Sequence, residues 1–256
     1  MGLFQKIFGK EVRTVNNFDL LPEELRKEVL NVSIAFNKYG AYCTPLSNQH
    51  RTLNQKILKG NVFEPETIKY MMEHAGEGDI VHAGTFFGDF LPALSRAIHK
   101  DGHIWAFEPN SENYRCAQIT MILNGISNVH LINSGLGAKS STAEMLINDN
   151  KGRGLGGSSK IVASGSEKTG TESVKIVALD EVIPQDRRIS ILQLDVEGYE
   201  EQALKGAMKV IERCRPILIL EDDHNVTRGT WFKDNILPLG YKISGKLHYN
   251  ALVLPG

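Results

Sequence analysis

The chain has 256 residues, 29 Lys and Arg against 30 Asp and Glu, a formal net charge of -1 and 41% hydrophobic residues. That length holds one full α/β domain with an appended segment, or at most two small domains, and the balanced charge offers no footprint for nucleic acid or an anionic membrane. Three cysteines, Cys43, Cys116 and Cys214, lie far apart with no CxxC pair, which argues against a disulfide framework or zinc site and predicts buried free thiols in a reducing cytoplasm.

The opening "MGLFQKIFGKEV" lacks the long apolar core and small-residue cleavage site of a signal peptide, and no apolar run in the chain approaches the roughly 20 residues of a membrane span. Leu3, Phe4, Ile7 and Phe8 share one helical face, suited to packing on the chain's own domain, a membrane or a partner. Lys6 stands where a myristoylation signal requires Ser or Thr. Residues 1–75 are expected to form a helical cap. Pro22 opens a stretch in which Leu25, Val29, Val32 and Phe36 recur at helical spacing, and "EPETIKYMMEHA" sets Ile68, Met71, Met72 and Ala75 along one side before Gly76 and Gly78. Such a cap would serve as a lid, a docking element or the interface of a homo-oligomer.

From residue 76 short β-rich runs alternate with helical ones: "DIVHAG", "FLPALSRAIHK", "HIWAFE", "ENYRCAQITMILNG", "NVHLINSG", then "ISILQLD", "YEEQALKGAMKVIERC", "PILILE" and "TWFKDNILPLG". Continuously apolar strands alternating with helices predict an α/β, Rossmann-like domain over 76–256, with a mostly parallel seven-stranded sheet covered by helices on both faces. "YKISGKL" and "NALVLP" have no helix between them and predict an antiparallel edge strand. Residues 150–172 interrupt the rhythm with six glycines and four serines, flanked by two extra strand-like runs, "TAEMLIND" and "SVKIVALDEVI". This insertion reads as a linker or hairpin tip, or as a loop facing substrate. Its Ser158-Ser159-Lys160 order does not fit a Walker loop.

Ligands of open α/β sheets bind at the carboxyl ends of the strands. The first strand runs through His82 and Ala83 into Gly84, Thr85, Phe86, Gly88 and Asp89, a turn in which two glycines let a backbone approach a ligand. The second ends at Glu108, Pro109 and Asn110. Glu108 follows Gly84 by 24 residues, close to the spacing at which a carboxylate accepts both ribose hydroxyls, while Asn110 or Ser111 caps the next helix. The third ends at Ser134, Gly135 and Leu136, which either leave room for a base edge or form a plain turn. The fourth delivers Asp195 and Glu197 from a buried strand, with Glu200 beyond, and the fifth delivers Glu221 and His224, with Asp222 and Asp223 read as caps and surface charges. The set Asp195, Glu197, Glu221 and His224 is the candidate catalytic cluster, with Asp195 or His224 best placed as general base. Its oxygens also suit Mg²⁺, but no full ligand set is apparent and no metal is expected.

With Gly84, Glu108, "AFEPNSENY", "LNGISNVHLINSGLG", "LDVEGYEEQALKGA" and "RPILILE" in this order, the chain resembles the FkbM family of S-adenosylmethionine-dependent methyltransferases over roughly residues 60–256. The resemblance implies a Rossmann-like methyltransferase acting on oxygen of a small molecule or glycan, with S-adenosylmethionine as cofactor and S-adenosylhomocysteine as product. It also implies Gly84 and Gly88 beside the methionine part, Glu108 on the ribose, Ser134 to Leu136 beside adenine, Asp195 near methyl transfer, and "GGSS" at residues 156–159 beside substrate. Where the family has an acidic residue this chain has His82, with Thr85-Phe86 in place of Ala-Asn, which leaves Asp89 or Glu64 to orient the methionine ammonium; Gln193 stands in place of a lysine common in the family, which implies a different substrate preference. An NAD-dependent oxidoreductase and a non-catalytic nucleoside-binding module remain the alternatives. The first lacks the third glycine and a hydride-transfer constellation.

Overall fold

The computed structural model describes residues 31–162 and 170–256. The helical stretch expected around residues 22–30, the amphipathic residues 3–8 and residues 163–169 of the glycine- and serine-rich insertion lie outside the described residues. Residues 31–75 belong to the same compact unit as the rest of the described chain, so the boundary expected at residue 75 falls inside it.

The first described elements correct the expectation of a wholly helical cap. Strands β1 (Val32–Asn37) and β2 (Gly40–Pro45) form an antiparallel hairpin. Val32 and Phe36 are four apart, a spacing that fits helix and strand equally, and Ile34 between them is in phase only with the strand. One edge of the hairpin's inner strand pairs with β1, and on its other edge Cys43 N–H donates to Thr120 Oγ1 (3.0 Å) and Ala41 N–H to Asn124 Oδ1 (3.1 Å). Helices α1 (Thr52–Leu58) and α2 (Pro65–His74) follow. In α2, Pro65 opens the helix and Ile68 and Met71 are buried, as is Ala75 just past its end, matching the expected face.

The main sheet contains β3 (Asp79–Ala83), β4 (Ile104–Phe107), β5 (Val129–Ile132), β10 (Ile189–Leu194), β11 (Ile217–Glu221), β12 (Lys242–Leu247) and β13 (Asn250–Leu254). Their order is β12-β13-β11-β10-β3-β4-β5. Five strands are parallel, and β13 is antiparallel to both neighbours. The antiparallel strand is therefore second from the edge, not outermost. Its apolar "NALVL" is buried where the exposed "KISGKL" of β12 is not, so the apolar strand takes the inner place. The connections are helices: α3 (Leu91–Ala97), α4 (Ser111–Asn124), α5 (Leu179–Val182), α6 (Glu200–Lys205), α7 (Met208–Cys214) and α8 (Thr230–Asn235).

A second sheet of four strands, β6 (Gly135–Leu136), β7 (Ser141–Leu146), β8 (Lys160–Val162) and β9 (Thr171–Val177), accounts for both extra strand-like runs. Side-chain alternation explains the unbroken apolar strands. Val81, Ala83, Leu192 and Leu194 pack with Leu204, Ile211 and Phe232 on one face, while Ile80, Ile191 and Ile219 pack with Ile68, Met71 and Leu94 on the other. Each such buried aliphatic side chain contributes about 1.5–3 kcal/mol of apolar burial. The chain reverses its direction of winding between β3 and β10, and the crevice at that switch point is where a ligand is expected. The three cysteines are free and buried, as expected.

Candidate active site

At the carboxyl ends of β3, β4, β10 and β11 lies a cavity of about 460 Å³, a size suited to a nucleoside-bearing ligand. Of the residues expected from sequence, His82, Ala83, Gly84, Phe86, Asp89, Glu108, Pro109, Gly135, Leu136, Asp195, Glu197 and Glu221 line it. Thr85, Gly88, Asn110, Ser134 and His224 do not line it. Asn110 caps α4, its side chain accepting from Asn113 N–H at 2.9 Å. Thr85 and Ser134 are buried with hydroxyls that have no hydrogen-bond partner. His224 is exposed, its ring against Gly198, where an added Cβ would lie 3.1 Å away.

Gly84 has a packing role as well as an expected binding one. Its φ is +79°, and a Cβ there would fall 1.8 Å from the carbonyl oxygen of Asp195. The end of β10 can reach the turn only because position 84 has no side chain. That approach also sets Asp195 N–H on Ala83 O at 3.1 Å.

Glu108 is 4% exposed. Its Oε2 accepts from Phe86 N–H (2.8 Å) and its Oε1 from Asn110 N–H (2.9 Å), so the turn after β3 and the start of α4 are both fixed to one carboxylate. Burial pushes its pKa up to about 8 in spite of those two donors. A carboxylate oxygen has further lone pairs after one bond, so each can still accept a hydroxyl from the cavity.

The rest of the cavity wall is unusually acidic. Oxygens of Asp195, Glu197 and Glu221 all lie within 4.8 Å of one another. Burial, then Glu221, Glu64 and Glu197, raises the Asp195 carboxyl well above its usual range; burial and Glu221 push Glu197 up to about 8; and Glu221 is raised by burial and Glu200. Carboxylates this close cannot all ionise, so the group holds protons near neutrality. Glu200, expected just beyond, instead folds the turn, its Oε1 accepting from Val196 and Gly198 N–H at 3.1 Å each. Across the cavity, Glu64 sits in a left-handed conformation (φ 44°) and accepts from Thr67 Oγ1 (2.9 Å) and Asn250 Nδ2 (2.7 Å). Burial and then Glu64 push Asp89 up to about 7.

Arg51, Phe63, Tyr199, Tyr249 and Asn250 also line the cavity and were not singled out from sequence. Arg51 donates from Nη2 to Ser158 Oγ, tying α1's first turn to the short turn of helix at Gly156–Ser158. This places part of the glycine-rich insertion at the cavity wall, where Gly156, Gly157, Ser158 and Ser159 are found.

No curated protein matches the chain. Solved structures are similar at low identity. One is a methyltransferase FkbM from Methylobacillus flagellatus (18% identity, TM-score 0.47, covering 69% of this chain and 43% of that one). Others are a SAM-dependent methyltransferase from Aquifex aeolicus (12%, TM-score 0.42, 75% and 90%) and a tRNA (uracil-54, C5)-methyltransferase from Pyrococcus abyssi in complex with S-adenosyl-L-homocysteine (10%, TM-score 0.45, 88% and 44%). The chain thus spans less than half the length of the Methylobacillus protein it matches. The profile of the methyltransferase FkbM domain matches residues 82–242, from the middle of β3 to the start of β12, and the chain belongs to that family.

Proposed function

We propose that the chain is an S-adenosylmethionine-dependent methyltransferase that methylates a hydroxyl oxygen of a small molecule or glycan. The observation that carries this reading is the cavity's charge pattern: Glu64, Asp89, Glu108, Asp195, Glu197 and Glu221 face one space in which Arg51 is the one Lys or Arg among the described lining residues. So many carboxylates set against one guanidinium favour a ligand of net positive charge, and a sulfonium nucleoside with an amino-acid end carries two positive charges against one carboxylate, together with a ribose diol. Glu108, buried at the end of β4 with acceptor capacity left on both oxygens, fits that diol.

When bound, the sulfonium supplies an electrophilic methyl group, so the protein's part is alignment and proton removal. Glu108 would hold the ribose, and Glu64 and Asp89 the amino end. Gly135 and Leu136 would flank the base. Asp195, backed by Glu197 and Glu221, would take the proton of the acceptor hydroxyl from the ionised state that a bound cation favours, its raised pKa then making it a stronger base than an ordinary carboxylate. His224, exposed outside the cavity with its ring against Gly198, would stand on the solvent side of this cluster. The Gly156–Ser158 turn, Tyr199 and Tyr249 would contact the acceptor.

Calorimetric titration with S-adenosylmethionine, S-adenosylhomocysteine and NAD tests the reading. Micromolar binding of the first two and none of the third is expected. Binding of NAD alone would replace it with the oxidoreductase reading.

A further inference from the structure

The adenosyl reading leaves the guanidinium of Arg51 without a task. Half-buried at the start of α1, Arg51 lines the cavity and donates from Nη2 to Ser158 Oγ, while its Nε and Nη1 have no hydrogen-bond partner and no carboxylate pairs with it among the described residues. Ordering a long charged side chain in a cavity costs entropy and desolvation, which one bond to a neutral hydroxyl offsets only in part. A planar fork fixed at one corner, with its other N–H groups open to the cavity, is the form in which Arg takes a carboxylate through two parallel bonds.

Its charged neighbours set Arg51 on the side of the cavity where the methyl is received. It lowers the Glu197 carboxyl, but burial, then Glu221 and Glu200, outweigh it and leave that group at about 8, so Glu197 is mostly protonated near neutrality and does not neutralise the guanidinium. Oxygens of Glu197 and Asp195 lie within 4.8 Å of each other. At the amino end, by contrast, the charges acting most on Glu64 are those of His248 and Lys56, and Asp89 responds to Glu64. The serine that holds Arg51 belongs to the Gly156–Ser158 turn, and Met145, Ile176 and Tyr199 add uncharged wall. We propose that the methyl acceptor is a hydroxy acid, its carboxylate held by the free edge of the Arg51 guanidinium and its hydroxyl presented to Asp195. This rests on the adenosyl reading above and names the substrate class for it.

The charge balance selects a carboxylate over a phosphate. One guanidinium offsets one negative charge, and the acidic wall around it repels any excess, so a phosphate monoester, with its charge of about −1.5 to −2 at neutral pH, would be opposed where a carboxylate is not. In the transfer, the hydroxyl oxygen gains the methyl as the methyl–sulfur bond breaks, the hydroxyl proton goes to Asp195, and the carboxylate is unchanged. The product is therefore the methyl ether of a hydroxy acid and not its methyl ester.

The first arm of the test needs no variant. With S-adenosylhomocysteine bound, the protein is titrated calorimetrically with D-glucuronate, 4-hydroxybenzoate and 3-hydroxybutyrate, a sugar acid, a phenolic acid and an aliphatic one, each compared with its primary amide. At least one acid should bind, with its amide about tenfold to a hundredfold weaker, the range for hydrogen bonds to a charged group. With S-adenosylmethionine the same acid should give the base-stable methyl ether. Arg51→Gln should erase the preference for acid over amide, Arg51→Lys should keep only part of it because the charge remains and the fork is lost, and both variants should bind S-adenosylhomocysteine within about twofold of the native protein. Equal binding of acid and amide, binding of none of the acids, or an ester product would overturn the proposal. So would an Arg51→Gln protein that binds S-adenosylhomocysteine about tenfold more weakly but 5′-methylthioadenosine normally, since Arg51 would then serve the carboxylate of the adenosyl ligand. Failure of the native protein to bind S-adenosylhomocysteine would strike the adenosyl reading instead, and the comparison of acid with amide on the ligand-free protein would still judge this one.

Discussion

Replacing Glu108 by Gln keeps the side chain's shape and turns one of its two acceptor oxygens into a donor. Both oxygens are engaged by backbone donors, Phe86 N–H and Asn110 N–H, so the new amide must face one N–H with another and can offer the ribose a single acceptor. Losing one charge-assisted bond costs about 1.5–3 kcal/mol of binding, roughly a tenfold to hundredfold rise in Kd. The pH dependence is the sharper signature. With a pKa of about 8 in the free protein, Glu108 is about one-tenth ionised at pH 7. Ligand hydroxyls favour the ionised form, so binding releases protons, and its affinity gain is present above the raised pKa and lost as pH falls below it. Glu108 alone should contribute nearly a tenfold loss per pH unit between about pH 7 and pH 6. Calorimetry of S-adenosylhomocysteine from pH 6 to 9, in buffers of different ionisation heat, reads the affinity slope and the proton count together. Glu108→Gln should reduce the slope by about one and the protons released at pH 7 by nearly one, leaving the smaller contribution of Asp89. A variant that binds with the native slope and affinity would refute the placement of the ribose.

Three further outcomes follow from the same geometry. Asp195→Asn should lower turnover about 10²–10⁴-fold, the range for a lost general base, with Kd for S-adenosylmethionine within about threefold; single-turnover methyl transfer and calorimetry separate the two. Gly84→Ala puts a Cβ 1.8 Å from Asp195 O at a φ of +79°. It should cost about 3 kcal/mol from overpacking and left-handed strain together, read as a drop of roughly 6–12 °C in Tm. At the opposite end of the sheet, Asp79 is buried and accepts from Arg187, Trp105 Nε1 (2.8 Å) and His103 N–H (2.9 Å). Burial opposes its ionisation, but these donors prevail and hold its pKa below the usual carboxylate value. Its contribution is therefore present above the unfolded pKa and lost as pH falls through the lower folded one. Asp79→Ala should cost about 3 kcal/mol at pH 7 in urea unfolding, and less in acid.

The doubly wound sheet was legible because its strands are apolar on both faces, and Ile80, Val81, Ile191 and Leu192 announce that directly. Glu108 and Asp195 could be found from sequence since strand ends place them, and the length of one strand-helix-strand unit fixes the interval from Gly84. What sequence did not show are meetings between distant segments. Glu64 reaches Asn250 from 186 residues away, and His82 meets Gln193 from 111 residues away; both depend on strand order and register. Arg51 and Tyr249 come from outside the span that carries the family's motifs. The hairpin of β1 and β2 was misread since Val32 and Phe36 satisfy two periods at once, and pairing with β2 decided between them.

The measurement that bears most directly on the account is a crystal structure of the protein with S-adenosylhomocysteine. The account predicts both ribose hydroxyls within hydrogen-bond distance of Glu108, the base over Gly135 and Leu136, and the amino group against Glu64 and Asp89 with the sulfur turned toward Asp195. A ribose away from Glu108, or a ligand seated outside the cavity between β3 and β10, would contradict it.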